Sequence, residues 1–231
     1  MNLIEAKHIT KTYTIGDRQI SVLDNISLKV SDGEFLVVEG SSGSGKTTLL
    51  SLLSGLDKPT SGRVLIEGKD ITDTPEDDLA PLRNEMIGFV FQSFHLVPSL
   101  TAIENVMFPA ELKRDPQAHQ KAQFLLKRVG LTTRMDNFPH QLSGGEMQRV
   151  AMCRALINDP KIIFADEPTG NLDSENGEAI LELLLEFHRE RQSTLVLVTH
   201  NNEIATMADR MIILHDGRIL ETIRHDYQHT A

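Results

Sequence analysis

The chain has 231 residues, 40% of them hydrophobic, which allows one large α/β domain with a substantial core. Its net charge of -10 opposes binding to nucleic acid or to an anionic membrane surface. Cys153 is the only cysteine and excludes an intrachain disulfide. Because no motif surrounds it, we interpret Cys153 as a buried thiol and not as a nucleophile.

Neither a signal peptide nor a membrane-spanning helix is indicated. The first seven residues include Asn2, Glu5 and Lys7 and contain no apolar stretch of signal-peptide length. No later run approaches the ~20 apolar residues that a membrane helix needs. We therefore expect a soluble chain, for which any role at a membrane would have to come through a partner.

The predicted elements begin with two strands, over residues 3–14 and 22–30, which we expect to pair antiparallel through a turn at Gly16 and Asp17. Helical patterns cover residues 47–56 and 175–191. Two of the later strand-like runs, at 162–165 and 195–198, are continuously apolar, as strands buried on both faces of a parallel sheet are. The other runs are 35–38, 64–66, 88–91 and 211–214.

These elements predict an α/β fold with a mainly parallel sheet and an N-terminal antiparallel β subdomain. Strand signals vanish between residues 93 and 157, where helical patterns dominate. We interpret that stretch as a helical lobe inserted into a single domain over residues 1–231. Residues 1–92 and 158–231 would then form its core.

A phosphate-binding loop follows the strand predicted at 35–38. Its glycines allow backbone N–H groups to point at phosphate oxygens, and the helix that follows favours an anion at its N-terminus. Lys46 would reach the β- and γ-phosphates, the Thr47 hydroxyl would bind Mg²⁺, and Thr48 belongs to the same site. A flexible Gly/Ser-rich loop is the alternative. The residues that match G-x-x-x-x-G-K-[ST] are Gly40, Ser41, Ser42, Gly43, Ser44, Gly45, Lys46 and Thr47.

Two carboxylates end the strand predicted at 162–165. Asp166, at the carboxyl end of this strand, can hold the Mg²⁺ shell. Glu167, the next residue, can polarise an attacking water. A buried strand followed by acidic turn residues is common, so this pair supports a hydrolytic site only together with the phosphate loop.

A third motif, L-S-G-G-x-x-Q, precedes that strand and runs from Leu142 to Gln148. With this motif the chain resembles the ATP-binding cassette (ABC) proteins. Other phosphate-loop enzymes, such as kinases and GTPases, lack the motif. The resemblance implies that Ser143, Gly144 and Gly145 bind the γ-phosphate of ATP held by a second copy of the chain. Ser143 is also expected to cap the helix that follows.

Four further positions match the family in order and spacing. The resemblance implies that Tyr13 stacks on adenine, although an ordinary strand tyrosine would look the same. It implies that Gln92 contacts Mg²⁺ or water and reports to a membrane partner. Asp173 would lie at the dimer interface, and His200, after the strand at 195–198, would donate a hydrogen bond to the γ-phosphate.

The resemblance is closest to the LolD, MacB and FtsE subgroup of bacterial cassettes. It implies a Mg-ATP-hydrolysing homodimer on the cytoplasmic face of the inner membrane, attached through integral membrane permease subunits and driving export or force transmission. The alternative is a cassette that acts on DNA or ribosomes. That alternative is disfavoured by the acidic charge, the single ATPase domain and the absence of a long coiled coil. An inert scaffold conflicts with the intact catalytic set.

Overall fold

The computed structural model describes residues 2–199 and 201–225. By contacts between residues the chain divides into two compact units. The first contains the residues up to Arg83 together with those from Thr194 onward, and the second is Asn84–Ser193. Each unit is described by itself below.

The secondary structure follows the predicted alternation. The strands are β1 (Asn2–Ile15), β2 (Arg18–Ser31), β3 (Phe35–Glu39), β4 (Ser61–Ile66), β5 (Lys69–Asp70), β6 (Ile87–Phe91), β7 (Ile162–Asp166), β8 (Thr194–Val198), β9 (Arg210–His215) and β10 (Arg218–Arg224). The α-helices are α1 (Lys46–Leu53), α2 (Glu76–Met86), α3 (Ala102–Leu112), α4 (Ala118–Arg128), α5 (Gly144–Leu156), α6 (Ser174–Arg191) and α7 (Asn202–Thr206).

An antiparallel sheet with the strand order β2-β1-β4-β5 lies in the first unit. The hairpin of β1 and β2 confirms the two strands predicted at the start of the chain, and it turns at Gly16 and Asp17 as predicted. Gly16 has φ +59°, a left-handed conformation that a tight turn takes most readily with glycine. The N-terminal β subdomain of the predicted fold is therefore present.

The parallel part of the first unit is built on β3. Strands β8 and β9 flank β3 and run parallel to it, and β10 pairs antiparallel with β9. Every residue of β8 is buried, as are the first four residues of β3. This burial explains why both strands are continuously apolar in the sequence.

In the second unit β6 and β7 form a parallel pair, and α3 to α6 accompany them. Cys153 lies on α5 and is buried, as predicted, and this burial raises the pKa of its thiol well above the ordinary value. Residues 93–157 contain α3, α4, α5 and short 3-10 turns but no strand. The helical lobe and its bounds stay a prediction.

Helix α1 ends earlier than the helix predicted over residues 47–56. The N–H groups of Gly55 and Leu56 bond back to the carbonyls of Leu52 and Ser51, at 3.2 and 2.9 Å. Gly55 has φ +68°, so the chain leaves the helix through a Schellman turn. The apolar pattern continues past this turn, which is why it overestimates the helix.

Among the described residues, no helix combines the length and the apolar composition that crossing a membrane requires.

Candidate active site

The predicted phosphate loop connects β3 to α1 in the first unit. β3 ends at Glu39 and α1 begins at Lys46. The residue before α1 is Gly45, in a left-handed conformation with φ +103°, and no side chain caps this helix. The positive end of the helix dipole therefore lies at the loop without a side-chain acceptor, which suits an anion.

Close contacts require glycine at both ends of this loop. A Cβ atom on Gly40 would lie 2.2 Å from the Leu214 carbonyl oxygen and 2.6 Å from Ser44 Oγ. A Cβ atom on Gly45 would lie 2.9 Å from the Val22 carbonyl oxygen. Real Cβ atoms do not approach backbone oxygen so closely, so any side chain at either position would displace the loop.

Polar groups of the loop are buried beneath it. Lys46 is 6% exposed, and its Nζ donates hydrogen bonds to the carbonyl oxygens of Gly40 at 2.9 Å and Ser41 at 3.0 Å. The Oγ of Ser44 is also buried and has no hydrogen-bond partner among the described residues. On the first turn of α1, Thr47 is exposed and Thr48 is half-buried. A buried ammonium beside an unsatisfied hydroxyl and a helix N-terminus fits a phosphate chain.

Tyr13 lies on β1 and is 39% exposed. Its hydroxyl donates to Asp57 Oδ2 at 2.8 Å, and Lys11 Nζ lies 4.8 Å from the centre of the ring. Lys11 also donates to Asp57 Oδ1 at 2.7 Å. Burial, together with the hydrogen bond to Asp57, raises the pKa of the Tyr13 hydroxyl. These contacts hold the ring at one orientation, and its role in stacking stays a prediction.

The two carboxylates of the second unit lie at the carboxyl end of β7. Asp166 is the last residue of the strand and is half-buried. Glu167 follows in the left-handed region, with φ +44°, and its carbonyl accepts a hydrogen bond from Gly170 N at 3.0 Å. A left-handed conformation costs a non-glycine residue about 1–2 kcal/mol. Surrounding contacts must therefore hold the residue that we predict to be catalytic.

Gln92 lies against the turn that follows Glu167. Its carbonyl accepts from Asn171 Nδ2 at 2.9 Å. A Cβ atom on Gly170 would lie 2.7 Å from Gln92 Nε2, so glycine leaves room for the amide. The structure thus brings together, within the second unit, the predicted Gln92 and the segment that contains Glu167.

The L-S-G-G-x-x-Q motif begins α5. Ser143 is its N-cap, with Oγ accepting from Glu146 N at 3.3 Å, while Ser143 N donates to Glu146 Oε2 at 2.8 Å. This capping box confirms the predicted cap. The backbone N–H of Ser143, with a further hydrogen bond from Arg134, lowers the pKa of Glu146. Gly144 and Gly145 form the first turn of the helix.

Two other predicted residues are less informative. Asp173 is exposed in the turn before α6. His200 lies outside the described residues. Their assigned roles, at the dimer interface and on the γ-phosphate, stay predictions.

Three residues that sequence analysis left without a role have prominent contacts. Asp57 holds Tyr13 and Lys11, as described above, and no sequence signal marks it. Arg154 donates to the carbonyls of Phe94 at 2.8 Å and His95 at 2.5 Å, both residues having positive φ. Gln148 is the last residue of L-S-G-G-x-x-Q, so the motif marked its position but not its partners.

Comparison with known proteins gives consistent matches. Residues 23–170 match the model of the family described as ABC transporter. The chain is 48% identical, over 95% of its length, to the macrolide export ATP-binding/permease protein MacB of Syntrophobacter fumaroxidans, but spans only 31% of that protein. It is 46% identical, over 94% of its length, to the lipoprotein-releasing system ATP-binding protein LolD of Syntrophus aciditrophicus and spans 99% of it.

A solved structure is similar as well. It is the ATP-binding cassette MJ0796, a dimer in a post-hydrolysis state bound to ADP and Pi. The TM-score is 0.90 at 42% identity, and the alignment covers 96% of this chain and 98% of the other. The similarity therefore extends over the whole fold.

Proposed function

Since this chain belongs to the ABC transporter family, we propose that it is an ATP-binding and ATP-hydrolysing subunit that drives membrane-spanning partner subunits. The observation that carries the proposal is the loop between β3 and α1. Its tight glycine contacts, buried Lys46 and uncapped helix N-terminus together form a cradle for phosphate. Lys46 binds the β- and γ-phosphates there, and Tyr13 stacks on adenine.

Mg²⁺ fits the chemistry of the predicted ligands. The Thr47 hydroxyl, the Gln92 amide oxygen and the Asp166 carboxylate are hard oxygen donors, which Mg²⁺ prefers. Bound by these residues, Mg²⁺ would supply positive charge that offsets the negative charge of the phosphates during transfer of the γ-phosphoryl group to water.

Hydrolysis requires a group that orients and deprotonates the attacking water. Glu167 takes this role because it directly follows Asp166 and is held in one strained backbone conformation. Gln92 packs beside the same turn, from which its amide would contact the water or Mg²⁺. His200 donates a hydrogen bond to the γ-phosphate.

The working form is a dimer of two chains around two ATP molecules. Ser143, Gly144 and Gly145 open α5, whose N-terminus offers backbone N–H groups to the γ-phosphate of ATP on the partner copy. Asp173 lies at the interface. Support comes from the dimeric cassette to which this chain is similar over 96% of its length.

The membrane partner belongs to the class of permeases that serve MacB-like and LolD-like cassettes. The support is the identity of 48% and 46% to those two proteins. The chain then lies on the cytoplasmic face of the inner membrane, attached through its partners. Its work is export or the transmission of force across the membrane.

Replacing Glu167 with Gln tests the proposal. The amide keeps the size of the side chain but cannot act as a base, so ATPase turnover should fall by roughly 10²–10⁴-fold. ATP binding should persist because Lys46, Thr47 and Asp166 are unchanged. The trapped ATP should then hold two copies together, and gel filtration with ATP should show a dimer.

The control combines Glu167→Gln with Lys46→Ala, which should remain monomeric because it cannot hold the phosphates. Wild-type turnover in Glu167→Gln would overturn the assignment of the catalytic carboxylate. A monomer at saturating ATP would overturn the proposed ATP-bridged dimer.

A further inference from the structure

Gln148 is a fully buried amide one turn into α5, with 0% of its surface exposed. Its Nε2 donates one hydrogen bond to the Pro168 carbonyl oxygen at 2.6 Å and another to the Phe91 carbonyl oxygen at 3.3 Å. The side-chain amide of Gln148 therefore donates both of its N–H groups to backbone carbonyls, which belong to two different segments of the chain.

Each of those segments carries a residue of the proposed catalytic machinery. Phe91 is the last residue of β6, and Gln92 follows it directly. Pro168 directly follows Glu167. Gln148 thus joins the backbone next to Gln92 with the backbone next to Glu167, and it does so from α5, the helix that Ser143 caps.

The orientation of this amide follows from its partners. Carbonyl oxygens only accept, so the NH₂ group must face both of them, and the reversed orientation would place oxygen against oxygen. The Oε1 of Gln148 is buried without a hydrogen-bond partner among the described residues. Leaving a buried acceptor unsatisfied is costly, so the two donated bonds offset a real penalty.

The backbone that Gln148 holds is strained. Glu167 has φ +44°, and such a conformation persists only where surrounding contacts determine it. One contact is local, from Gly170 N to the Glu167 carbonyl. Gln148 supplies a contact from outside the turn, to the residue immediately after the strained one.

We propose that Gln148 is a positioning residue that aligns Glu167 and Gln92 for hydrolysis and makes their alignment depend on α5. The inference rests on the proposed function, because it takes Glu167 as the base. Since Ser143, the N-cap of the same helix, is proposed to contact ATP on the partner copy, a displacement of α5 on dimerisation is transmitted toward Glu167 and Gln92 by the Gln148 side chain.

Gln148→Met tests the proposal because it keeps the length of the side chain and removes both donors. We expect ATPase kcat to fall by roughly 10²-fold, the loss that misplacement of catalytic groups by about 1 Å produces. ATP affinity should stay at the wild-type value because the phosphate loop is untouched. If Gln148→Met does not fold, Gln148→Asn serves instead, since its shorter amide cannot reach both carbonyls.

Asn158→Ala is the matched control for loss of a half-buried amide in the same unit. Asn158 Nδ2 donates to the Asn84 carbonyl at 2.8 Å and to its Oδ1 at 3.0 Å, away from Phe91 and Pro168. We expect both variants to lower Tm and only the Gln148 variant to lower kcat. Equal losses of kcat in the two variants would show that Gln148 is merely structural.

A double mutant distinguishes this inference from the proposed function. If Gln148 acts through Glu167 and Gln92, adding Gln148→Met to Glu167→Gln should cost much less than the roughly 10²-fold it costs in the wild type, because the part that acts through Glu167 is already lost. A full additional loss would overturn the inference while leaving Glu167 as the base. Wild-type turnover in Glu167→Gln alone would instead overturn the proposed function.

Discussion

Lys46 and Tyr13, which are proposed to bind the nucleotide, are each oriented by hydrogen bonds to other residues of the first unit. The Lys46 ammonium is buried and donates to the carbonyls of Gly40 and Ser41. Phosphate oxygens carry full charge and are stronger acceptors than carbonyls, so we expect Lys46 to turn toward them when ATP binds. Tyr13 is oriented in a different way, through its hydroxyl, which donates to Asp57.

Asp57 provides a prediction for pH dependence. Burial raises the pKa of its carboxyl, but hydrogen bonds from Lys11, Tyr13 and the Lys58 backbone more than offset this and lower it below the ordinary value of 3.8. A carboxyl whose pKa is lower in the folded state stabilises the fold above its unfolded pKa, and this stabilisation is lost as pH falls through the folded value.

Asp57→Asn should therefore be less stable than the wild type at neutral pH, and the difference should shrink as pH falls below about 4. Thermal denaturation measures this difference in stability, from pH 7 down to the lowest pH at which both proteins fold. Asp17→Asn, at the exposed hairpin turn, is the control and should follow the wild type. A difference that does not vary with pH would contradict the ion pair as its source.

At the scale of elements, the N-terminus of α5 has both a structural role and a proposed functional role. The capping box between Ser143 and Glu146 satisfies N–H groups that would otherwise lack partners. The same end of the helix is proposed to meet the γ-phosphate of a partner copy. Substitution of Ser143 can separate these two roles, because aspartate caps a helix as well as serine does.

Ser143→Asp should keep the stability of the wild type, whereas Ser143→Ala should lose about 1 kcal/mol. In the Glu167→Gln background, Ser143→Asp should abolish the ATP-dependent dimer because its charge repels the γ-phosphate. Urea denaturation and gel filtration with ATP give the two measurements. A dimer that survives Ser143→Asp would show that this helix end does not meet the nucleotide.

For the whole molecule, the segment after Gln92 connects the candidate site to a surface. Arg154 holds the carbonyls of Phe94 and His95, and the buried Asn105 both donates to the Val97 carbonyl and accepts from Val97 N. The backbone of this segment is therefore anchored, while Val97 as a residue is 38% exposed. We therefore predict that the proposed membrane-spanning partner docks on this anchored segment, around Val97.

Val97→Glu should detach the chain from the proposed membrane-spanning partner without lowering basal ATPase activity. Val97 is the better test position because it is exposed. Leu96 and Leu100 are half-buried, so a charged side chain at either position would also destabilise the fold. The measurement is co-purification of the membrane partner with the tagged chain. Leu220→Glu, an exposed apolar position on β10, is the control; equal retention of the partner by both variants would place the docking surface elsewhere.

How far the sequence determines this protein depends on the range of each interaction. The phosphate loop, the strand before it, the cap at Ser143 and the hairpin turn at Gly16 all follow from residues close together in the chain. Local rules of turn, cap and periodicity act over a few residues, so they were readable from the sequence. The motifs also indicated the family, which the comparisons confirm.

The contacts between residues that are distant in the chain could be identified only from the tertiary structure. Tyr13 and Asp57 are 44 positions apart, and Gln148 reaches Phe91 across 57 positions. Neither pairing could be predicted from sequence periodicity. A hydrogen bond depends on the positions of two groups in space, and the residues between them in the chain need not follow any pattern. The left-handed φ of Glu167 has the same origin: local preference opposes that conformation, and packing around the turn supplies the energy that holds it.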